Sequence, residues 1–560
     1  MQTENKQPLF SRPVRILVVI LLIVLGAVGS WQFYKYKLIR SEVKKAVDKS
    51  SNGLYAIHYD NIEVDEAAGY LYVTNIRIVP DTALYKKMVA DKTNPPLLLQ
   101  LTIPELKVTG VKTPRALLES KIEGRRVDIK NAVVEFYYAK KPKDTTDTAP
   151  ALEMYEQILG NLKLIQADTV SVENTSLAFI DIHNNKRMIE ASGISVNMQD
   201  ILIDSLHSND TSRFFFAKKI AVTAEKANIK NKQGNYIYHF NGIAFNTASR
   251  SFTIKNIQIE PQFGEAEFAR VSRLQKDRFN FSFSGVSLNN INLPELMNES
   301  VMADELLIKQ SNFKIYRDIS YPHDKNNRVG TYPHQQLMDM PIYLSIRRIN
   351  FPSLFIEYKE KNPKSGYSGK VRFEKANAVI NNVTNIASEI KSNNNCVVTF
   401  NARFLDVVPL QAKLVMQIND REGRFSIRGT AKNFDATKLN VVLKPMALAE
   451  VKRGCVNSMD FNFNCTNYAS DGELTLLYDD LNMTLLKKDS INNKIEKKGL
   501  ASLVANIVIK NANPLRKQHI RKAEVHYKRD TNTAIFNLIW QSILTGTKES
   551  VGMKTGDSKN

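Results

Sequence analysis

The feature that most constrains this chain is a strand-like phrase whose apolar beat slips by one residue and which occurs four times. In "RVDIKNAVVEFYY", residues 126 to 138, the apolar pairs are Val127 and Ile129, then Val134 and Phe136. Strand side chains alternate faces with period two, so the five-residue step from Ile129 to Val134 would put the second pair on the opposite face of a straight strand. A bend, bulge or tight turn near Asn131 returns both pairs to one side. The same step is found in Val170, Val172, Leu177 and Phe179 around Asn174, in Leu306, Ile308, Phe313 and Ile315 around Gln310, and in Ile349, Phe351, Ile356 and Tyr358 around Ser353.

The spacing is regular. Val127 stands 43 residues before Val170, Leu306 stands 43 before Ile349, and 179 residues separate Val127 from Leu306. A second landmark, Asn75-Ile76-Arg77-Ile78-Val79-Pro80, returns as Asn256-Ile257-Gln258-Ile259-Glu260-Pro261 after 181 residues. The pattern is a tandem duplication of a two-unit block, as expected for a chain of 560 residues, too long for one compact core. From about residue 365 onward the sequence alternates as a meander, in "CVVTFNARF", "LQAKLVMQI" and "GRFSIRGTA", broken by Asn, Asp and Gly. Short helices are predicted at "RALLESKI" after Thr113-Pro114 and at "ALEMYEQIL", residues 151 to 159, after the polar "KKPKDTTDTAP".

A sheet with one long apolar face must cover that face or use it. One solution is a sandwich or solenoid core filled by its own side chains; the other is a curled sheet whose inner face carries lipid chains. Periodicity leaves both open.

Ahead of the β region, Ile16 to Tyr34 runs nineteen residues without a charge, enough to cross a hydrocarbon core of about 30 Å as a helix. Trp31, Phe33, Tyr34 and Tyr36 stand where an interfacial aromatic belt belongs. A cleaved signal peptide is the competing reading, since Ala27 and Gly29 offer a small-x-small site. The retained anchor is the expectation taken here, with one large body beyond it.

The balance of 77 Lys and Arg against 57 Asp and Glu gives a formal net charge of +20. That surplus suits polyanions or anionic membrane surfaces, and also the solvated faces of strands. Nucleic acid is not an expected partner: the basic residues form no dense stripe and no RNP-like aromatic motif occurs. The eight histidines show no HExxH pattern, and His323-Asp324 with His334 in "YPHDKNNRVGTYPH" reads as loop polars rather than as a metal site. Cys396, Cys455 and Cys465 have no metal-ligand spacing, although Cys455 and Cys465 would be free to pair from neighbouring strands in an oxidising compartment. No GxSxG, P-loop or GxGxxG occurs in a strand-turn-helix context, so neither enzymatic activity nor a cofactor is expected.

At the far end Ile535, Phe536, Ile539, Trp540, Ile543 and Leu544 recur at helical spacing, with Gly546 placed to end the helix and Lys548 and Lys554 following. Such a helix either caps the last repeat or dips into an opposing membrane, with Phe536, Ile539, Trp540, Ile543 and Leu544 as the contact residues.

This layout resembles the AsmA-like proteins of the repeating β-groove group, which includes bridge-like lipid-transfer proteins. The matching features are the anchor, the units "VDIKNAVVEFYY" and "VSVENTSLAFID", the segment "KLNVVLKPMALAEVKRGCVNSMDFNFNCTNYASDGELTLLYDDLNMTLL" and the ending "AIFNLIWQSILTGTKESVG". The resemblance covers nearly the whole chain but is architectural, since each motif is degenerate. It implies a Gram-negative inner-membrane protein with its body in the periplasm. Its hydrophobic groove would hold phospholipid or another envelope lipid, serving outer-membrane lipid homeostasis, with the opposing membrane or envelope proteins as further partners. The groove lining would be the sixteen apolar residues of the four phrases. The alternative is a scaffold protein of the envelope that holds no ligand.

The expected architecture is mainly β: an N-terminal transmembrane helix, then an elongated, curled antiparallel sheet with short interspersed helices. Its expected divisions are a cytoplasmic 1–15, an anchor at 16–36, groove blocks at 37–240 and 241–430, a meander at 431–530, and a helix and tail at 531–560. With roughly 35 to 40 strands at the usual spacing, a single curled sheet would reach on the order of 170 to 190 Å.

Overall fold

The computed structural model describes residues 51–553, apart from 52, 66, 92, 94, 96, 112–120, 139–162, 209, 489–494, 498–508, 516 and 517. The expected anchor at 16–34, the helices predicted near 113 and 151, and the tail from Lys554 lie outside the described residues. The protein is mainly β and divides into two compact units. The first comprises residues up to Ile257 together with Leu288–Ser300, and the second comprises Gln258–Ser287 and Val301 onward.

In the first unit, β1 (Tyr55–His58) and β2 (Asn61–Asp65) pair successively along β3 (Tyr70–Pro80). Helix α1 (Thr82–Ala90) follows, started by the Asp81 carboxylate, which accepts from the Ala83 and Leu84 amides at 2.9 Å each. Strand β4 (Leu97–Thr109) runs antiparallel to β3. Then β5 (Lys121–Lys130) and β6 (Val133–Tyr138) lie end to end between β4 and β7 (Leu164–Asp181). Both are antiparallel to β4 but parallel to β7, with Val127 beside Val170, Ile129 beside Val172, Val134 beside Leu177 and Phe136 beside Phe179. Among the pairings of β1 to β10 this join is the parallel one and the others are antiparallel. A parallel neighbour requires a connection that returns to the starting end, and the 25 residues between Tyr138 and Leu164 supply it. The meander then resumes through β8 (Lys186–Ile203), β9 (Ala217–Lys230) and β10 (Tyr236–Asn246).

The bend expected at Asn131 and Asn174 is present. Both backbones take the left-handed conformation, with φ of 55° and 52°, which Asn tolerates better than most residues. The bends also interlock: the Asn131 amide donates to the Glu173 carbonyl and the Ser176 amide to the Ala132 carbonyl, each at 2.9 Å. The five-residue step conceals an extra buried residue. Between Ile129 and Val134 lies Ala132, and between Val172 and Leu177 lies Thr175. Ser311 and Leu354 occupy the same place in the later phrases. Each phrase thus advances by three and then two, and the extra residue is what a bulge contributes. Gln310 and Ser353 do not adopt the left-handed conformation. At Ser353 the register shift between Phe351 and Leu354 makes the bend, around exposed Pro352 and Ser353.

The chain enters the second unit within β11 (Ser251–Pro261), continues through α2 (Glu265–Ser272) and most of β12 (Arg278–Asn289), and returns to the first for 288–300. In that segment α3 (Leu293–Met297) adds Leu293, Leu296 and Met297 to the first unit's core. The second unit proper begins with β13 (Ser300–Asp318), α4 (Pro333–Met338) and β14 (Tyr343–Lys361). Two ion pairs tie β13 to β14, Asp304 to Arg347 at 3.2 Å and Asp318 to Lys361 at 3.0 Å. Both join positions 43 apart, so these strands run in the same direction with the register of the first duplication.

An antiparallel meander follows: β15 (Ser368–Thr384), α5 (Ala387–Ser392), β16 (Asn395–Phe404), β17 (Val408–Gln417), β18 (Phe425–Asp435), α6 (Asn440–Ala447), β19 (Ala449–Cys465) and β20 (Ala469–Lys488). The short β21 (Ile495–Lys497) and β22 (Ala523–Lys528) both pair with β20, and α7 (Ile535–Ser550) packs on β20 and β22.

The described residues hold 22 strands, against the roughly 35 to 40 expected for the chain. The half-phrases of β7, β13 and β14 are continuous through the bend, in strands of 18 or 19 residues. The length estimate built on the larger count falls with it. Cys455 and Cys465 do not pair: both lie on β19, ten residues apart and so about 34 Å along an extended strand, beyond any disulfide.

Candidate functional site

The apolar positions of the phrases assemble into rows that cross neighbouring strands. In the first unit Phe136, Phe179, Ile189, Ile229 and Tyr238 form one row, and Val134, Leu177, Ala191, Ala227 and Phe240 form the next. Beyond the bend, Ile129, Val172, Val196, Val222 and Phe245 form a third, while Val127, Val170, Met198 and Ile220 form a fourth. The step of three plus two at each bend keeps all four rows on one face.

Burial changes along these rows although the chemistry does not. Val127, Ile129, Val134, Phe136, Val170 and Val172 are buried in one hydrophobic cluster, with Leu177 and Phe179 packed against it. The Phe136 and Phe179 rings stack at 4.9 Å. On β8, β9 and β10 the continuing members Ile189, Val196, Val222, Ile229, Phe240 and Phe245 are only half-buried. The first half of the face is filled by its own side chains, and the second half is partly uncovered.

In the second unit the candidates are mostly half-buried: only Ile308 falls in the buried class, and Leu306, Phe313, Ile315, Ile349, Phe351, Ile356 and Tyr358 do not. Phe313 meets Phe281 and Phe283 edge-on at 4.9 and 5.3 Å. Across β14, β15 and β16, Ile356 faces Phe373 and then Phe404, and Phe351 faces Ala378 and then Phe400. Leu354, Ala376, Ala378 and Ala402 form the buried floor between them.

This face ends in polar groups that the phrases do not announce. Tyr358 donates to Glu360 Oε2 at 2.7 Å, and Arg317 grips Asp277 through Nε at 2.7 Å and Nη2 at 2.8 Å. Burial raises the Tyr358 phenol well above its ordinary pKa, with Glu360 adding to the effect, so it stays a donor. Burial alone would lower the Arg317 pKa, but Asp277 outweighs it and the guanidinium is held charged. The sequence signal was the period-two continuation from Ile315 to Arg317 and from Tyr358 to Glu360.

A separate depression of about 280 Å³ in the first unit is bordered by charged and polar groups, among them Glu135, Glu190, Lys226 and Asn228. Arg187 reaches Glu135 at 2.9 Å and Glu190 at 3.7 Å across it.

The terminal helix divides the candidate membrane-contact residues. Its buried side consists of Ile535, Leu538, Ser542, Gly546 and Ser550, and Ile539 and Ile543 pack partly against the same core. Leu544 is half-buried, whereas Phe536 and Trp540 project outward with 76% and 42% exposure. Gly546 does not end the helix, which continues to Ser550. Instead it allows close approach: a Cβ there would lie 2.7 Å from Leu474 Cβ and 2.9 Å from Val525 Cγ2. The last turn is held by Tyr478 Oη and Arg521 Nη2, which both donate to the Ser550 carbonyl at 3.3 Å.

Among the described residues no three His, Cys, Asp or Glu side chains converge as metal ligands, and no helix is long and apolar enough to cross a membrane. His323 Nδ1 lies 3.0 Å from the Asp324 carbonyl. His334 is buried in α4 with neither ring nitrogen hydrogen-bonded, and burial lowers its pKa to about 4. Tyr332, two residues earlier at the N-cap, donates to the Thr466 carbonyl at 2.9 Å beneath the Arg529 guanidinium, 4.5 Å from its ring.

No protein-family model matches the chain, and no curated protein shows significant sequence similarity to it.

Proposed function

We propose that this is an AsmA-like lipid-binding or lipid-transfer protein of the repeating β-groove kind, anchored in the inner membrane by residues 16–34 with its body in the periplasm. It serves outer-membrane lipid homeostasis and needs no covalent chemistry of its own. The observation that carries the reading is the half-buried apolar face on β8–β10 of the first unit and β13–β16 of the second, where cross-strand rows of Ile, Val and Phe lack the cover that Val127 to Val172 receive. Leaving such area in water costs about 25 cal/mol per Å², so a lipid chain laid along it is stabilised by burial.

A scaffold role without ligand is the second reading, supported by the self-filled cluster around Phe136. Mass spectrometry of the membrane-extracted protein, under conditions that preserve non-covalent complexes, separates the two: co-purifying lipid is expected, and a chain that carries none and takes none from vesicles is a scaffold. The denatured mass from the same preparation tests the anchor, since a mature chain starting near Ser30 would mean a cleaved signal peptide.

A further inference from the structure

The apolar face of the second unit ends in a row of charge. Period two along β14 puts Ile356, Tyr358 and Glu360 on one side, and Phe313, Ile315 and Arg317 follow the same rule on β13. The 43-residue register sets Ile315 beside Tyr358 and Arg317 beside Glu360, and Asp277 closes the row through its two bonds to Arg317. The Arg317 and Asp277 side chains are only 17% and 18% exposed. Opposite Glu360 stands Gly369, where a Cβ would collide with the Met446 side chain of α6, so this helix closes the end of the face.

The row holds two carboxylates and one guanidinium, one positive charge short of balance. A purely structural ion pair needs only Arg317 and Asp277, and the second carboxylate, Glu360, takes a neutral donor, the Tyr358 hydroxyl, rather than a cation of its own. Arg317 has five N–H donors and gives two to Asp277, leaving donors for a phosphate oxygen. Glu360 is an acceptor for an ammonium group.

We propose that Asp277, Arg317, Tyr358 and Glu360 form a headgroup site for a lipid that carries both a phosphate and a primary amine, with its acyl chains along Phe281, Phe313, Ile356 and Phe373. This rests on the lipid reading above and names the class of lipid. The ammonium pairs with Glu360 and the phosphate with the remaining donors of Arg317, so a zwitterionic head leaves the row at one negative charge, whereas an anionic head without an amine takes it to two and is rejected.

The test uses the delipidated full chain, offered vesicles of phosphatidylethanolamine and phosphatidylglycerol in equal amounts with identical acyl chains, and bound lipid is counted by mass. One charge-assisted hydrogen bond corresponds to roughly ten-fold enrichment of phosphatidylethanolamine. Glu360→Gln, which removes the acceptor for the ammonium, should bring the ratio near parity. A second competition needs no variant: phosphatidylcholine, whose methylated nitrogen has no N–H, should lose to phosphatidylethanolamine. Equal uptake of the lipids by the wild-type chain, or undiminished enrichment in Glu360→Gln, overturns the headgroup site while leaving the lipid reading intact. Uptake of no lipid overturns both.

Discussion

Asn174 Nδ2 donates to Asn131 Oδ1 at 2.7 Å, joining two residues 43 positions apart that hold the same left-handed backbone in adjacent parallel strands. The two bends are copies of one device, fastened to each other. Replacing either Asn by Ala removes the side-chain bond and places an unfavourable residue at positive φ. The expected loss is about 1–2 kcal/mol, read as a lower urea midpoint. Glycine at the same position should recover the backbone part of that loss, and an Ala variant as stable as wild type would mean that the backbone there relaxes without cost.

Two substitutions separate packed core from open face. Val134 is 6% exposed within the main cluster, so Val134→Asp buries an unpaired carboxylate and should abolish folded yield, at a cost of several kcal/mol. Phe313 is half-buried, so Phe313→Asp should leave a folded protein with less bound lipid. Both are measured as soluble, cooperatively melting protein and as lipid per chain. Failure of Phe313→Asp to fold would make that residue core as well.

His334 sets a pH dependence with a definite sign. Its folded pKa, about 4, lies below the ordinary 6.5, so the unfolded chain binds the proton more tightly. Its contribution is complete above about pH 6.5, and stability should fall as the pH drops from there toward 4. Neither ring nitrogen makes a hydrogen bond, so His334→Phe should cost little at pH 7 and flatten the melting-temperature profile between pH 4 and 6.5. An unchanged slope would assign the dependence to other groups.

The helix α7 has two roles that substitutions can part. Gly546→Val drives a side chain into Leu474 and Val525 and should destabilise the second unit by about 1–3 kcal/mol, and deletion of 535–560 should aggregate it. Phe536→Ser with Ile539, Ile543 and Leu544 retained should not lower the melting temperature, because Phe536 is 76% exposed. In a Trp31→Phe background Trp540 is the sole tryptophan, and a blue shift with anionic vesicles that Phe536→Ser weakens would mark a membrane contact. No shift leaves α7 as a cap.

Thiol labelling reads the arrangement of β19. Cys455 is exposed and should react in the native protein, whereas Cys396 and Cys465 are buried, with pKa values pushed up to about 11 by burial, and should react only after unfolding. Labelling of all three thiols without reductant would agree with β19 holding its two cysteines apart. Protection of Cys455 until reduction would contradict this placement.

The first duplication was legible because Val127, Ile129, Val134 and Phe136 share both spacing and chemistry with Val170, Val172, Leu177 and Phe179, and a parallel neighbour at the same register needs nothing more. The residues inside the slip were not, because Ala132, Thr175 and Ser311 have no common apolar signature and only the bulge puts them inside. Asp277, Arg317 and Glu360 look like the solvated side of a strand until pairing fixes what they stand beside. In α7 the apolar residues suggested one face, but Ser542 and Gly546, small enough for strand contact, mark the packed side and turn Phe536 and Trp540 away from it.

The parallel join of β5 and β6 to β7 has an evolutionary consequence. A copied segment laid beside its original at a fixed offset presents like to like, Val to Val and Phe to Phe, so the duplicate is compatible with its neighbour at birth, before any substitution has been selected. An ancestor carrying one such phrase would lengthen by gene duplication in increments, each viable as it arises. Strand number then becomes a trait that selection can tune by copy number, independently of the substitutions that follow.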